Sequence, residues 1–300
     1  MTINENVSTF AGLPVREWPG DGEPVETSVA WRISPGFDAP RGEFVRQLNE
    51  LIGRHPVEAL VIGDWGDCYE NPAPIGDIVA AAPRLPELRA LFLGEMTYEE
   101  CEISWIQLGD VAPLLAAIPS LEVLRIRGSE SLQLGTVRHE TLRELAFESG
   151  GLPPQVVRDV GASDFPALRH LEVWLGTPNY GGDTSVEDLA GILSGERLPA
   201  LRHLGLRNAE IADDVAAALA QAPVVPRLTT LDLSLGLLSD AGVTALLAGQ
   251  SLTGLERLDL HHHLVSDEML AQLAAALPGV VLDTEDSQLN ERYRYVAVGE

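Results

Sequence analysis

A short pattern of apolar residues recurs along most of the chain, at the first, fourth and sixth positions of a six-residue segment. The fourth and sixth positions have the period of two that places both side chains on one face of a β-strand. The eight occurrences are Val57, Leu60, Ile62; Leu88, Leu91, Leu93; Leu121, Leu124, Ile126; Leu142, Leu145, Phe147; Leu168, Leu171, Val173; Leu201, Leu204, Leu206; Leu228, Leu231, Leu233; and Leu255, Leu258, Leu260. The pattern therefore predicts eight strands with one buried face.

A second pattern follows most of these strands, in which Ser or Asp is placed to cap a helix and apolar residues then recur three and four positions apart. It is clearest at Ser239 and Asp240, which precede Val243. The predicted helices cover residues 43–53, 75–82, 109–118, 186–194, 213–221, 240–248 and 267–276. The unit from Leu121 to Leu142 is shorter than the others, so an extended or 3₁₀ connection is expected there.

Units of one strand and one helix cannot bury their apolar faces alone, which predicts an α/β solenoid shaped like a horseshoe. Its parallel sheet lies on the concave side and its helices on the convex side. The predicted parts are an N-terminal strand and helix cap at 1–56, eight repeats at 57–279, and a C-terminal cap and tail at 280–300. Strands are expected at 25–34 and 280–282, and the tail at 292–298 is expected to close the C-terminal edge of the sheet.

The segment from Leu228 to Val243, continued by Leu255 to Leu260, resembles the leucine-rich repeat superfamily, in particular its ribonuclease-inhibitor-like class with a helix in every repeat. The chain also looks like uncharacterised bacterial proteins with this repeat, which supply no activity. One departure is clear: the resemblance implies Asn or Cys at position 9 of each repeat. This chain has Trp65, Met96, Ser129, Gly150, Gly176, Ala209, Gly236 and His263 there. The turns are therefore expected to satisfy their backbone groups in another way.

The formal charge of the chain is -25, from 45 acidic and 20 basic residues. Such a charge disfavours nucleic acids and anionic membrane surfaces as partners, because both would be repelled. The two cysteines, Cys68 and Cys101, are too few for a disulfide framework and are read as reduced packing thiols, with a redox-sensitive pair as the alternative. No apolar run is long enough for a transmembrane helix, so a soluble cytoplasmic protein is expected.

The side chains at positions 3, 5 and 7 of each repeat are predicted to line the concave sheet. They are small or apolar in the first two repeats and ionisable in most of the others. The candidate binding residues on this face are Arg125, Arg127, Glu148, His170, Glu172, Trp174, His203, Arg207, Asp232 and Asp259. The anchor candidates among them are Trp174, Arg125, Arg127 and Arg207. A face of this kind suits recognition of a protein or peptide; the alternative is an ordinary solvated sheet.

The longest connections, at 64–74, 94–107 and 176–185, leave the C-terminal ends of the strands and are predicted to form one edge of the solenoid, the loop edge. They carry five aromatic candidates, Trp65, Tyr69, Tyr98, Trp105 and Tyr180, together with many carboxylates. Aromatic rings among carboxylates favour a basic partner. Alternatively, the aromatic side chains pack the loops down and the acids keep them soluble.

Candidate chemistry is sparse. His261 and His263 are weak candidates for a metal site with Asp259 or Asp232, and His170, His203 and Glu172 could in principle perform acid–base chemistry. No nucleotide-binding, hydrolase-elbow or metalloprotease motif is present, so neither catalysis nor a cofactor is expected. The leading hypothesis is a non-catalytic protein- or peptide-binding module that favours a basic partner. The alternative is a metal-binding or enzymatic accessory protein that uses the concave His, Glu and Asp cluster.

Overall fold

The computed structural model describes residues 3–18, 28–40 and 42–299. Their strands are β1 Thr9–Phe10, β2 Leu13–Trp18, β3 Ala30–Ile33, β4 Ala59–Ile62, β5 Ala90–Leu93, β6 Val123–Arg127, β7 Glu144–Glu148, β8 His170–Gly176, β9 His203–Ala209, β10 Thr230–Asp232, β11 Arg257–Asp259 and β12 Val281–Asp283. These twelve strands form one sheet in chain order. The β1–β2 pair is antiparallel and the later pairs are parallel. The predicted α/β solenoid with a parallel sheet is confirmed.

The α-helices of the described chain are α1 Glu43–Arg54, α2 Ile75–Ala81, α3 Ala112–Ala117, α4 Pro154–Ala162, α5 Ala190–Ser194, α6 Ala212–Leu219, α7 Asp240–Ala248 and α8 Asp267–Ala276. Short 3₁₀ helices cover Ala82–Arg84, Ile103–Trp105, Pro178–Tyr180, Val186–Leu189 and Val225–Arg227. The predicted helices are present, although the one expected at 109–118 is shorter. The sequence pattern did not predict α4, because three of its five buried positions are valines, which favour strands.

The apolar residues of the recurring pattern form the core between the sheet and the helices. Leu204, Leu231 and Leu258 are fully buried and lie in register on neighbouring strands. Helix residues such as Leu48 and Val215 belong to the same continuous cluster. The side chains at positions 3, 5 and 7 therefore lie on the other side of the sheet, the predicted concave side, which we call the inner face.

The turns that follow the strands lack the repeated asparagine that the resemblance implies at position 9. At position 8 of three successive repeats, Asn208, Leu235 and His262 have left-handed φ values of 54, 67 and 59°. This conformation is uncommon for side chains other than glycine, asparagine and aspartate. Asn208 is fully buried, whereas Leu235 packs against neighbouring apolar side chains, so tertiary contacts hold the turns in this conformation.

Helix starts in the last repeats are tied together by a ladder of carboxylates and serines. The backbone N–H and the hydroxyl of Ser239 donate to Asp213 of the preceding repeat at 2.8 and 2.6 Å. Ser266 makes the same two contacts with Asp240 at 2.7 and 2.8 Å. In each pair, the contact from the backbone N–H satisfies a donor that the start of a helix leaves free.

The short unit between β6 and β7 contains no helix among its residues, all of which are described. Its chain is extended instead, and isolated parallel bridges join Gln107 to Glu130 and Asp110 to Gln133. The expected extended connection is confirmed.

The N-terminal segment extends the sheet beyond the repeats. Its strands β1 and β2 were not predicted from the apolar pattern, because the exposed and buried positions of β2 do not alternate cleanly. Of the strand expected at 25–34, residues 25–27 lie outside the described residues, and β3 confirms the strand over residues 30–33 only. The short last strand expected at 280–282 is also confirmed, by β12.

The C-terminal tail does not close the edge of the sheet beside β12, so that expectation is wrong. It forms no strand over its described residues and runs back across the strand ends. Its contacts are His262 Nε2 with Tyr295 O at 3.2 Å, Ala297 N with Leu235 O at 2.8 Å, Val298 N with Asn208 Oδ1 at 3.0 Å, and Ser104 Oγ with Gly299 O at 2.6 Å. This course buries Val296 and Val298, which an edge position beside β12 would leave exposed on one side.

Candidate functional site

The N-terminal third of the inner face is apolar and is covered by the chain's own N-terminal segment. Phe10 packs on Phe92 of β5 with ring centroids 5.6 Å apart. Ala59, Val61 and Ala90 belong to the same buried cluster. This part of the inner face is therefore an internal contact, not an open binding surface.

Arg32 and Glu95 anchor this covered region. Arg32 Nε donates to Glu95 Oε2 at 2.7 Å, and the backbone N–H of Val7 donates to Glu95 Oε1 at 2.8 Å. Burial raises the pKa of Glu95 despite these donors. For Arg32, burial acts to lower the pKa, but the attraction of Glu95 and Glu17 outweighs it and the net shift is upward. The sequence analysis did not select either residue, although Arg32 is a lone charge within the apolar strand β3.

A second buried ion pair lies on β6 and β7. Arg127 Nε donates to Glu148 Oε2 at 2.7 Å, and both residues are at most 5% exposed. Arg127 also donates to Met96 O at 2.6 Å, which ties this pair to the loop edge. Arg125 reaches Glu148 at 3.1 Å from a half-buried position. Of the candidates in this region, only Arg125 is accessible to a partner.

Glu172 is the centre of a third network, on β8 and β9. Its carboxylate accepts from Arg207 Nη1 at 2.7 Å and from Trp174 Nε1 at 2.6 Å, and it lies 3.4 Å from His170 Nε2. Burial alone would raise the pKa of Glu172, but hydrogen bonds and the charges of Arg207 and Arg125 outweigh it and hold the pKa below its ordinary value. Glu172 therefore remains a structural anion at neutral pH.

Trp174, a candidate anchor from the sequence, is 7% exposed. Ile103, Leu235 and the tail residue Val298 pack with Trp174 in a separate apolar cluster. The guanidinium carbon of Arg207 lies 5.2 Å from the centre of the Trp174 ring. The ring is thus occupied by intramolecular contacts on both the tail side and the arginine side.

His170 and His203 lie at equivalent positions on β8 and β9, with their rings stacked at 3.8 Å and 8° between planes. Burial, followed by the nearby His170, lowers the pKa of His203 to about 4, so it is neutral at pH 7. A metal ion lies about 2.0–2.1 Å from each imidazole nitrogen and close to each ring plane. Parallel rings at this spacing cannot meet both conditions, although one ligand atom each from His170, Glu172 and His203 lie within 4.8 Å of one another.

A cluster of charged side chains at the C-terminal end of the inner face includes Asp259. Ligand atoms of Asp259, His261 and Asp283 lie within 4.8 Å of one another. The guanidinium of Arg257 already bridges the two carboxylates at 2.9 and 2.6 Å. His261 Nδ1 lies 2.7 Å from Asp259, whose pKa falls to about 2 because hydrogen bonds from His261 and Arg257 outweigh its burial.

The two remaining candidates of this region are also engaged within the protein. Asp232 lies 3.2 Å from Arg207, and burial raises its pKa in spite of that charge. His263 is fully buried, and its two ring nitrogens contact Val265 N and Thr284 O at 3.0 and 3.1 Å. The structure therefore does not bring His261 and His263 together as a chelating pair.

The five aromatic candidates of the loop edge differ in solvent exposure. Trp65 is buried and donates to Asn71 O at 2.9 Å, and Tyr69 and Tyr180 are half-buried. Tyr98 and Trp105 are 42% and 51% exposed, on the loop between β5 and α3. Only these two aromatic side chains of the loop edge present large exposed surfaces within the described residues.

Residues that the sequence analysis missed connect the two ends of the chain to this loop. Tyr98 N donates to Ile3 O at 2.8 Å, and Asn208 Nδ2 donates to Val298 O at 2.6 Å. Ile3 and Val298 pack in one cluster with Ile103. No local pattern signals such contacts, because their partners lie far apart in the sequence.

In the described residues, no helix has both the length and the apolar character needed to cross a membrane. No family model and no curated protein matches the chain. A crystal structure of a Bacteroides fragilis protein, a structural-genomics target, matches with a TM-score of 0.75 and 29% identity, over 91% of this chain and 78% of that chain. The TLR13–ssRNA13 complex matches with a TM-score of 0.38 and 15% identity, over 86% of this chain and 36% of that chain. The first of these likenesses shows that the fold is shared with a known structure along most of the chain.

Proposed function

We propose that the chain is a non-catalytic leucine-rich repeat module of the ribonuclease-inhibitor-like class that binds a protein or peptide carrying basic residues. The observation that supports this proposal is the exposed pair Tyr98 and Trp105 on an acidic loop. Large exposed aromatic side chains are typical of binding hot spots. The inner face supplies few such groups, because its candidate anchors are buried or paired with one another.

The charge around this pair favours a cationic partner. Glu99 follows Tyr98 directly and is exposed, and Glu102 is half-buried on the same loop. A guanidinium or ammonium group can stack on an aromatic ring while it pairs with a nearby carboxylate. The charge of -25 also attracts cationic partners over longer distances at low salt.

The proposal includes a cytoplasmic location and no cofactor. It is supported by two buried free thiols, Cys68 and Cys101, which suit a reducing compartment. The stacked imidazoles and the arginine-bridged carboxylates described above give no support to a metal-dependent activity.

A peptide array tests the proposal, with basic, neutral and acidic peptides compared at low and high salt. The variant Tyr98→Ala/Trp105→Ala should weaken binding of the best basic peptide by about tenfold or more, because each truncation removes a hot-spot contact. The matched control is Tyr293→Ala/Tyr295→Ala, which removes two tail aromatics that are 66% and 60% exposed. The control should bind like the original chain. Equal affinity of both variants, or no preference for basic peptides, would contradict the proposal.

A further inference from the structure

A row of arginines lies along the edge of the sheet where the strands begin, opposite the loop edge. Arg143, Arg169 and Arg202 immediately precede β7, β8 and β9, and all three are exposed. Their backbones are joined, since Arg169 N donates to Arg143 O at 2.8 Å and Arg202 N donates to Arg169 O at 2.9 Å. Neighbouring strands lie about 4.8 Å apart, so the three residues span about 10 Å. We call them the arginine row.

Two members of the row occur within a repeated string. The six residues Pro-Ala-Leu-Arg-His-Leu stand at both 166–171 and 199–204. The leucines of this string are fully buried, so the fold requires them. The arginine position is not constrained in this way, because the equivalent residues of other repeats are Glu58, Arg89, Glu122, Thr229 and Glu256. The repeated arginine is therefore not explained by the packing of the solenoid.

The charges of the row are incompletely neutralised. Arg143 pairs with Glu122 at 3.2 Å, and Arg202 donates to the carbonyl of Leu201 at 2.7 Å. Across the described residues, Arg169 and Arg202 have no carboxylate within ion-pair distance. Like charges on adjacent strands destabilise a sheet, so an anionic ligand between them would relieve the repulsion. All 20 basic residues of the chain are arginines, whose planar guanidinium groups suit carboxylates.

We propose that the arginine row binds an extended acidic peptide segment of a partner protein, with carboxylates at alternate positions. Alternate side chains of an extended peptide lie about 6.8 Å apart, so two carboxylates fit among three flexible guanidinium groups that span about 10 Å. A nucleic acid is a poorer occupant, because its further phosphates would meet a protein of charge -25. This surface is separate from the aromatic pair of the proposed function, and its partner has the opposite charge.

The experiment uses the full chain and a fluorescently labelled peptide with glutamates at alternate positions, followed by anisotropy at low salt. The variant Arg169→Gln/Arg202→Gln should weaken binding by about tenfold or more, because it removes two charge-assisted contacts. The control Arg292→Gln/Arg294→Gln removes the same charge from exposed tail positions and should change affinity by less than about twofold. Circular dichroism checks that both variants remain folded.

Equal weakening by the two variants would overturn the proposal, since it would reflect net charge alone. Equal binding of a peptide with the same composition but clustered glutamates would overturn the alternate spacing. Tighter binding of inorganic phosphate or of a single-stranded RNA at the row would overturn the peptide assignment. Because the proposed function is tested with basic peptides and different variants, either proposal can fail without the other.

Discussion

The two parts of the inner face differ in how their side chains are shielded from water. In the N-terminal third, the sheet presents small and apolar residues, and Phe10 of the chain's own N-terminal segment covers them. From β6 onward the same face presents charged residues, and Glu148, Glu172 and Asp259 each pair with arginine or histidine on the same or a neighbouring strand. An apolar face needs a cover to be removed from water, whereas a face of paired charges can remain partly hydrated.

The contrast between buried and accessible side chains distinguishes residues that stabilise the fold from residues that a partner can contact. Residues such as Arg127 and Trp174 are candidate binding anchors in the sequence. They are only 5% and 7% exposed, however, and their contacts are made within the protein. Besides the half-buried Arg125, the accessible groups described above lie at the margins of the sheet: the aromatic pair of the loop edge and the arginine row. Three changes, taken from the largest expected effect to the smallest, test this contrast.

The variant Glu95→Ala should have the largest effect, because it removes the buried carboxylate that pairs with the 4% exposed Arg32. Within the described residues, the ion-pair partners left to Arg32 are then only the more exposed Glu17 and Glu100. We expect a loss of about 3–5 kcal/mol in the free energy of unfolding, measured by urea denaturation. Glu99→Ala on the same loop removes an exposed carboxylate and should change stability by about 0.5 kcal/mol or less. Similar losses in both variants would show that Glu95 does not anchor the covered region.

His203 should make stability depend on pH. Its pKa is lowered from 6.5 to about 4 in the folded protein, so the unfolded chain binds more protons between these values. Stability should therefore fall as the pH drops from 6.5 to 4. After allowance for partial exposure, the contribution is about 1–2 kcal/mol.

The matched variant for this effect is His203→Phe, which keeps an aromatic ring on β9 but cannot titrate. Urea denaturation at several pH values should show a shallower decline for the variant than for the original chain. Identical pH profiles would contradict the assignment.

The smallest effect is expected from Val298→Ala, which removes two methyl groups from the contact with Trp174. We expect a loss of about 1 kcal/mol and a shift of tryptophan fluorescence to longer wavelength as Trp174 gains access to water. Val281→Ala on β12 is the control, because Val281 is 58% exposed. A fluorescence change of the same size in the control would show that the tail does not shield Trp174.

The solenoid could be predicted from the sequence because its signal is local and repeated. Leu231 and Leu258 show which face of each strand is buried, and Ser239 marks the start of a helix. The coverage of the inner face was not predictable in this way. It depends on Phe10 meeting Phe92 and on Val298 meeting Trp174, and no periodic pattern relates residues so far apart in the chain.

The side of the sheet on which the candidate residues lie could be predicted from the sequence, but their availability to a partner could not. The sequence placed Glu172, Arg207 and His203 on one face, as the strand register confirms for β8 and β9. Whether such groups face a partner depends on their mutual pairing, which requires side-chain geometry. Tyr98 and Trp105 could not be distinguished from Trp65 for the same reason, since aromatic content alone does not reveal burial.

Arginine-selective labelling tests the central contrast most directly, because the chain contains 20 arginines and no lysine. The folded protein is treated with phenylglyoxal, and the modified positions are mapped by mass spectrometry over time. We predict fast modification of Arg169 and Arg202 and strong protection of Arg32 and Arg127, which are 4% and 5% exposed. Modification of Arg32 and Arg127 as fast as that of Arg169 and Arg202 would contradict the division of the molecule into an internally paired inner face and an open arginine row.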